Sequence, residues 1–184
     1  MYWADGSSFE GIWKDDMRYE GKMIMSNGCI YEGTFKNDKF HCKMAKLFLP
    51  SMVIYEGEFK NGKTRPIAKL LYPLGDIYYG QIQQFERHGL GKHIFFDGSY
   101  YEGTWVNDKM HGDKCKLFNA SSSEVYIGSF ANNKKQGSGK HYDPEQDEIY
   151  EGDFTNDKRD GDGTLVKRDG RIYKVFFRNN YLEN

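Results

Sequence analysis

Three kinds of residue in this 184-residue sequence recur at spacings that could support chemistry. Regularly spaced glutamates could act as general acids or bases, or as metal ligands. Histidines that recur at one position could bind a transition metal. Glycine pairs resemble loops that hold phosphate groups. The sets are Glu10, Glu32, Glu56, Glu102 and Glu151; His41, His88 and His111; and glycine pairs such as Gly137 with Gly139.

All three sets belong to a repeated aromatic-x-Gly-x-aromatic motif. A complete copy runs from Tyr101 to Trp105, and a last copy begins at Tyr173, where Val175 replaces the glycine. The eight copies begin at residues 9, 31, 55, 78, 101, 126, 150 and 173. A fixed period of this length is the signature of a repeat architecture, so we do not expect a catalytic loop that occurs only once.

The spacing within each motif predicts a β-hairpin. Side chains alternate between the two faces of a strand, so Tyr101, Gly103 and Trp105 share one face and Glu102 lies on the other. An Asn-Asp or Asn-Gly pair follows two residues later and favours a tight turn.

The predicted fold is all-β: an elongated single-sheet antiparallel β-meander or solenoid of about eight tandem hairpins, forming one domain over residues 1–184. The predicted core residues are Tyr31, Gly33, Phe35, Tyr55, Gly57, Phe59, Tyr101, Gly103, Trp105, Tyr150, Gly152 and Phe154.

The glycines are expected to make room for the aromatic rings. Equivalent strands of successive repeats lie about 10 Å apart, so we expect no direct stacking between the rings of one repeat and the next. Glycines on the intervening strand, such as Gly137 and Gly139, would leave space for rings to lie over the backbone. A second apolar column is predicted on the opposite face, just before each motif. After Ser8 in the first repeat, its members are Ile30, Ile54, Ile77, Tyr100, Val125, Ile149 and Ile172.

The repeats resemble the membrane occupation and recognition nexus family, usually called MORN repeats. In that family Gly-Lys-x-His-Gly-x-Gly follows the second aromatic, and an Asp-Gly pair precedes the next repeat. Some copies depart from the Gly-x-Gly part, and those repeats are expected to pack differently. The departures are Cys42 and Met44 in the second repeat, Pro66 and Ala68 in the third, and Lys114 in the fifth.

The repeat geometry argues against a reactive centre. Glutamates one hairpin apart would form a solvated column about 10 Å apart, near the Debye length at 0.1 M salt. Histidines at the same spacing are too distant to converge on one metal ion. The glycine pairs lead into strands and not into the helix N-terminus of a phosphate loop. We therefore predict no catalytic, metal or cofactor site. The lysines expected to balance the glutamates are Lys39, Lys63, Lys109 and Lys158.

Composition sets the expected cellular setting. The net charge is −1, which argues against a nucleic-acid partner. No apolar run approaches the roughly 20 residues that cross a bilayer, and the N-terminal residues do not form a signal peptide. Three widely spaced cysteines predict a reducing compartment and no disulfide scaffold or zinc site. A cytoplasmic protein is expected.

Two sequence features are candidate binding sites. An apolar segment replaces the usual polar turn between the second and third repeats, and we predict that it forms an exposed partner-binding patch. A basic group near the C-terminus could bind an anionic lipid or an acidic partner, although its charges could equally protect an end strand from aggregation. The apolar patch comprises Leu47, Phe48, Leu49, Met52 and Val53; the basic group comprises Lys167, Arg168, Arg171, Lys174 and Arg178.

The leading functional hypothesis is a non-enzymatic scaffold that binds other proteins of a large complex. Open sheet edges are a liability, so a partner or self-association could cover them. The family resemblance implies a cytoskeletal or ciliary location, including axonemal radial-spoke-head-like proteins. Two alternatives stay open: a peripheral membrane module that binds anionic phospholipid headgroups, and the regulatory subunit of an enzyme.

Overall fold

Residues 1–183 are described by the computed structural model, and their regular structure consists entirely of β-strands. The chain divides into two compact units, Met1–Phe85 and Glu86–Asn184. The strands of the first unit are β1 Ser8–Lys14, β2 Met17–Ile24, β3 Ile30–Lys36, β4 Lys39–Phe40, β5 Cys42–Phe48, β6 Ile54–Lys60, β7 Lys63–Leu71 and β8 Ile77–Gln83. Those of the second unit are β9 Glu86–Ile94, β10 Tyr100–Val106, β11 Lys109–Phe118, β12 Val125–Ala131, β13 Lys134–Asp143, β14 Glu148–Thr155, β15 Lys158–Lys167, β16 Ile172–Arg178 and β17 Tyr181–Glu183.

Each unit is an antiparallel meander in which strands pair with their neighbours in the chain. In the first unit β3 pairs with β2 and then with β4 and β5, because its return strand is interrupted at His41. In the second unit each strand from β10 to β16 pairs with the strand before it and the strand after it. The predicted all-β, antiparallel meander of hairpin repeats is confirmed. The assignment of residues 1–184 to a single domain stays a prediction.

The hairpin turns have the backbone conformation that the Asn-Asp pairs predict. Asn107 and Asp108 both have positive φ, 48° and 62°. Positive φ at both central residues defines the type I′ turn, whose twist matches that of the flanking strands. At the other end of the hairpins a longer turn places one residue in the left-handed region. Gly98 occupies that position with φ 86°, and its amide donates to the Phe95 carbonyl oxygen at 3.0 Å.

The core lies on one face of each unit and consists of the motif aromatics. Tyr101 is fully buried and Trp105 is 2% exposed. The tyrosine ring folds back along its own strand, and its hydroxyl donates to the Thr104 carbonyl oxygen at 2.8 Å. Sequence reasoning missed this hydrogen bond, which satisfies the polar tip of a buried ring. The same bond, from each tyrosine to the residue three places later, is made by Tyr31, Tyr55, Tyr78, Tyr126 and Tyr150.

The rings of successive repeats meet, which the strand spacing did not predict. The Tyr101 ring lies 5.2 Å from the Phe130 ring of the next repeat, with 84° between their planes. The Tyr126 and Phe154 rings are related in the same way, at 5.0 Å. As expected, these rings do not stack directly, but the intervening strand does not keep them apart. They meet edge to face across the intervening strand, in the arrangement that aromatic pairs prefer.

The two glycines of each Gly-x-Gly pair have different roles. A Cβ on Gly139 would lie 2.4 Å from the Tyr126 hydroxyl oxygen, so this glycine makes the predicted room. Gly137 does not, because its Cβ would only approach Ser129 at 3.6 Å. Gly137 instead has φ 76° and lies in a bulge of β13. The prediction that both glycines accommodate rings is correct only for the second one.

The repeats that lack a Gly-x-Gly pair still have a small residue at the tightly packed position. Ala45 pairs with Gly57, and Cys115 pairs with Gly128, as Gly139 does in its own repeat. Motif spacing predicts Met44 and Lys114 at the position of the second glycine. The register instead assigns that position to Ala45 and Cys115. The column of small residues comprises Gly21, Ala45, Ala68, Gly91, Cys115, Gly139 and Gly163.

A methyl group at the packed glycine column should destabilise the fold. A Cβ on Gly128 would lie 2.5 Å from the Gly139 Cα and 2.7 Å from the Ser138 carbonyl oxygen, and backbone atoms cannot move aside cheaply. We expect Gly128→Ala to lower the free energy of unfolding by about 3 kcal/mol, measured by urea denaturation. Gly170→Ala is the control: its φ is 82° but no atom lies within 4 Å, so only backbone strain of about 1–2 kcal/mol should appear. Equal losses in the two variants would contradict the packing argument.

The buried tyrosines should make the fold sensitive to alkali. Burial raises the pKa of Tyr55 to about 12, and burial also raises the pKa of Tyr101. A tyrosine in the unfolded chain ionises near pH 10. The folded pKa is the higher one, so this contribution to stability is complete below about pH 10 and is lost as the pH rises through 12.

We therefore expect the free energy of unfolding in urea to fall steadily between about pH 10 and 12. Tyrosinate absorbance should show a late ionisation that coincides with the loss of β-sheet circular dichroism. Tyr55→Phe should reduce the slope of the decline, whereas Tyr2→Phe, at an 89% exposed position, should leave the slope unchanged. A stability that stayed constant over this range would show that the core tyrosines are not held neutral by the fold.

Candidate functional site

The face opposite the aromatic core, here called the outer face, carries a ladder of alternating lysine and glutamate residues. The strand register places Glu56 between Lys46 and Lys69. Its carboxylate lies 3.5 Å from the Lys46 ammonium and 3.1 Å from that of Lys69. Hydrogen bonding from Lys69, in particular, lowers the pKa of Glu56. Further ion pairs of the ladder are Lys22–Glu32, Lys92–Glu102 and Lys140–Glu151.

The lysines that balance the glutamates are therefore not the predicted ones. In residues 1–183, Lys39, Lys63, Lys109 and Lys158 make no ion pair with a motif glutamate. They follow the type I′ turns, as the pairing of Lys109 with Val106 shows, and so lie at the far end of the hairpin. Glu32, Glu56, Glu102 and Glu151 are each held against lysines of the neighbouring return strands. This arrangement is a stabilising surface ladder and not a converging carboxylate site.

Beside the ladder, each unit has a row of apolar side chains, here called the apolar row, with one member on each long strand after β1. The predicted column on the motif strands is present, and the structure adds matching members on the return strands, where Ile94 and Phe118 both pair with Tyr100. Most members are half-buried, and Tyr142 and Ile172 are 37% and 67% exposed. In the first unit the row comprises Ile24, Ile30, Phe48, Ile54, Leu71 and Ile77; in the second, Ile94, Tyr100, Phe118, Val125, Tyr142, Ile149, Val166 and Ile172.

Aromatic rings and lysines meet at Tyr100. Its ring lies 5.4 Å from that of Phe118, and the Lys92 and Lys116 ammonium groups lie 4.0 and 5.6 Å from the Tyr100 ring centroid. Hydrogen bonding with the Tyr100 hydroxyl raises the pKa of Lys116, whose amine, like that of other lysines, is charged at neutral pH. The outer face thus presents apolar contact area next to fixed positive charge.

The predicted apolar patch is not one surface. Leu47 is only 3% exposed, because it faces the core between Tyr31 and Tyr55, and its assignment to an exposed patch is wrong. Phe48, one residue later, belongs to the apolar row. Met52 is 72% exposed and has φ 64°, because it occupies the left-handed turn position that a glycine fills in other repeats. The two remaining members, Leu49 and Val53, are half-buried residues joined by a backbone hydrogen bond at the base of that turn.

The predicted basic group is largely neutralised by carboxylates. Lys167 binds Glu148, which is 3% exposed and also accepts a hydrogen bond from Arg159 at 2.9 Å. Lys174 forms no ion pair within the described residues 1–183. These contacts give little support to a site for anionic ligands. The other pairs are Arg168 with Asp147, Arg171 with Asp169, and Arg178 with Glu183.

A buried polar cluster on the core face was missed by sequence reasoning. His141 is 9% exposed, and its Nε2 atom lies 3.9 Å from the Glu124 carboxylate without a hydrogen bond in the described structure. The Lys135 ammonium lies 4.9 Å from the Tyr126 ring centroid. Burial lowers the pKa of both His141 and Lys135. The register could have indicated this environment, because His141 pairs with Tyr126 and Tyr150. The equivalent buried positions of other repeats are occupied by Leu47, Leu70, His93 and Leu165.

The recurring histidines do not come together. His41 Nδ1 lies 3.2 Å from the Asn61 Oδ1 atom, and His111 is exposed. Within residues 1–183 no group of three or more side chains is placed to hold a metal ion. The same residues include no helix that could span a membrane.

Comparisons with known proteins agree with the repeat architecture. A family model described as the MORN repeat matches residues 31–41, 55–64, 78–100, 101–112, 126–148 and 150–170, more than half of the chain. No curated protein matches the sequence significantly.

Of the two solved structures described next, the first shows a likeness in fold. The TCP domain of Drosophila melanogaster SAS-4 (dCPAP), in complex with a proline-rich motif of Ana2 (dSTIL), is 12% identical with a TM-score of 0.52, over 96% of this chain and 88% of that one. The TCP10 domain of Danio rerio CPAP, in complex with a STIL peptide, is 10% identical over 96% of this chain and 92% of that one, with a TM-score of 0.33.

Removing the buried carboxylate should test whether the basic group is structurally engaged. Burial alone would raise the pKa of Glu148, but hydrogen bonds from Lys167 and Arg159 outweigh it and lower the pKa. Glu148→Gln would leave the Arg159 side chain, 15% exposed, without its carboxylate. We expect a loss of about 2–3 kcal/mol at pH 7, reduced from the value for a fully buried pair because Lys167 remains partly solvated.

The matched control is Glu151→Gln in the exposed ladder, which should cost no more than about 1 kcal/mol. The folded pKa of Glu148 is the lower one, so its contribution to stability is present above the unfolded pKa of about 4.3 and is lost as the pH falls. Urea denaturation at pH 7 and pH 3 should therefore show the difference between wild type and Glu148→Gln shrinking at pH 3. A Glu148→Gln protein as stable as wild type at pH 7 would show that these basic residues do not depend on Glu148.

Proposed function

Because the chain belongs to the MORN repeat family, we propose that it is a non-enzymatic scaffold that binds other proteins of a large cytoskeletal assembly. The observation that carries the proposal is the apolar row on the outer face. Tyrosine, phenylalanine and isoleucine side chains such as Tyr142, Phe118 and Ile149 remain half-buried or exposed there, although the aromatic core of each unit is complete without them. Contiguous exposed apolar surface of this kind marks interaction sites.

Two further points support a protein partner. The SAS-4 TCP domain, which has a similar fold, was solved with a peptide motif of another protein, so a sheet of this kind can serve as a docking platform. The ion-pair ladder beside the row also supplies charges that could fix the register of a partner. The cytoskeletal or ciliary location, including the radial-spoke-head-like group, is part of the proposal and rests on the family resemblance.

The proposal predicts position-dependent cross-linking. A photoreactive amino acid introduced at position 142, in the apolar row, should cross-link to a reproducible protein partner in cells. The same amino acid at position 181, where Tyr181 is 79% exposed outside the row, should not. Mass spectrometry would identify the partner, and we expect it to be a component of a cytoskeletal assembly.

A second substitution tests whether the row itself mediates the contact. Ile149→Lys places a charge on the strand next to Tyr142 in the row and should reduce the position-142 cross-link at least tenfold. A thermal melt measured by circular dichroism would verify that the variant is folded. Cross-linking that is as strong from position 181, or that is unaffected by Ile149→Lys in a folded protein, would count against the proposal.

A further inference from the structure

We propose that the outer face of the second unit binds a proline-rich segment carrying acidic residues, in the polyproline II conformation, laid across the strands along the apolar row. This inference rests on the proposed function and specifies the chemistry of the partner. It follows from four properties of the face: the width of the row, its period, its hydrogen-bond donors and its charge.

The apolar row is too narrow for an α-helix. Along strand β10, Tyr100 is the only member of the row; Glu102, two residues later on the same face, belongs to the ladder. At β12 Ile127 occupies the ladder position and widens the apolar surface by one residue there. On the other side the strand ends, because Ser99 closes the preceding turn through its backbone. An amphipathic helix buries an apolar stripe at least 100° wide and needs several adjacent rows. A polyproline II helix has three residues per turn and can place a single column of side chains on a single row.

The periods of the row and of a polyproline II helix agree. Equivalent strands of successive repeats are two strands apart, about 9.6 Å. A polyproline II helix advances about 9.3 Å in each three-residue turn. Over four repeats, which a segment of about 12 residues would span, the accumulated difference is only about 1 Å. One proline in every three residues would therefore meet equivalent positions of successive hairpins.

The hydrogen-bond donors of the face suit a chain of prolines. Proline has a carbonyl acceptor and no N–H donor, and the carbonyls of a polyproline II helix are not used within the helix. The receptor must therefore donate. Lys92, Lys116 and Lys140 recur at equivalent positions of successive return strands, with the same spacing as the turns of the ligand. The hydroxyls of Tyr100 and Tyr142 add donors within the row, and aromatic-lined surfaces are typical receptors for such segments.

The charge of the ladder favours acidic residues in the ligand. Four lysines and two glutamates flank the apolar row of the second unit, an excess of two positive charges. Lys116 has no carboxylate within ion-pair distance in the described residues 1–183. Complementary charge aligns a partner and excludes others. The ladder positions are Lys92, Glu102, Lys116, Ile127, Lys140, Glu151, Thr164 and Lys174.

Fluorescence anisotropy with labelled synthetic peptides tests the proposal on the full chain. The first probe is (Pro-Pro-Glu)₄, which repeats with the period of the row. The second has the same composition, with eight prolines followed by four glutamates. We expect the first peptide to bind at least tenfold more tightly. Failure of the first peptide to bind, or equal binding of the two, would overturn the proposal.

Variants of the chain test where the peptide binds. Tyr100→Ser and Lys116→Glu should each weaken binding of (Pro-Pro-Glu)₄ at least tenfold. Val106→Ser, at the turn end of the same strand and on the same face as Tyr100, should have no effect. The neutral peptide (Pro-Pro-Gln)₄ should bind more weakly and should lose less than threefold on Lys116→Glu. Affinity that survives Tyr100→Ser in a folded protein would overturn the location.

The outcome is separable from that of the proposed function. If position 142 cross-links a protein partner but the proline peptides do not bind, the scaffold function stands and the polyproline ligand is wrong. If an amphipathic helical peptide were found to bind the row, the scaffold function would likewise stand and the polyproline ligand would be wrong. If no partner is cross-linked through the row and no peptide binds, both proposals are wrong.

Discussion

The structure depends on close contact between a tyrosine ring and the backbone where a side chain is missing. Tyr126 illustrates the constraint: its ring lies over the paired glycines Gly128 and Gly139, and a Cβ on either glycine would lie within 2.5 Å of its hydroxyl oxygen. The hydroxyl donates to a carbonyl oxygen of its own strand, so the polar tip of the buried ring has a hydrogen-bond partner. The rings of Tyr31, Tyr101, Tyr126 and Tyr150 also meet the second aromatic of the next repeat, so the contacts that complete one hairpin begin the following one.

Because of this constraint, the two faces of the sheet have different roles. The aromatic face is filled by rings, small residues and a few buried polar groups, and it has little surface left for a partner. The outer face is free of that requirement because its side chains alternate with those of the core. Its glutamates, which first suggested acid–base chemistry, are held apart by lysines on either side, as at Glu56. What the outer face retains is an apolar row beside fixed charge, and this combination suits recognition better than catalysis.

The sequence predicts the strands, the type I′ turns and the aromatic core well, because each depends on residues close together in the chain. The errors concern relations across strands. Fixed spacing aligned Met44 and Lys114 with the second glycine, whereas the register assigns that position to Ala45 and Cys115. Spacing likewise predicts lysines beside the turns as partners of the glutamates, whereas the ion pairs are made by lysines of the return strands. The same limit explains the misplacement of Leu47 and the unrecognised environment of His141, since the face of a return-strand residue depends on how many residues its bulge contains.

That bulge has a consequence for how such a chain can vary. Between the pairs Phe130–Lys135 and Gly128–Gly139, β12 advances two residues while β13 advances four. Between Trp105–Met110 and Glu102–Lys116, β10 advances three while β11 advances six, so this bulge contains one more residue. In an ordinary ladder a one-residue insertion would turn every later side chain to the opposite face. Here the irregular segment absorbs the extra residue before the small-residue column is reached. Repeats can therefore differ in length by a residue while the aromatic and small residues of every repeat stay on the same face of the sheet.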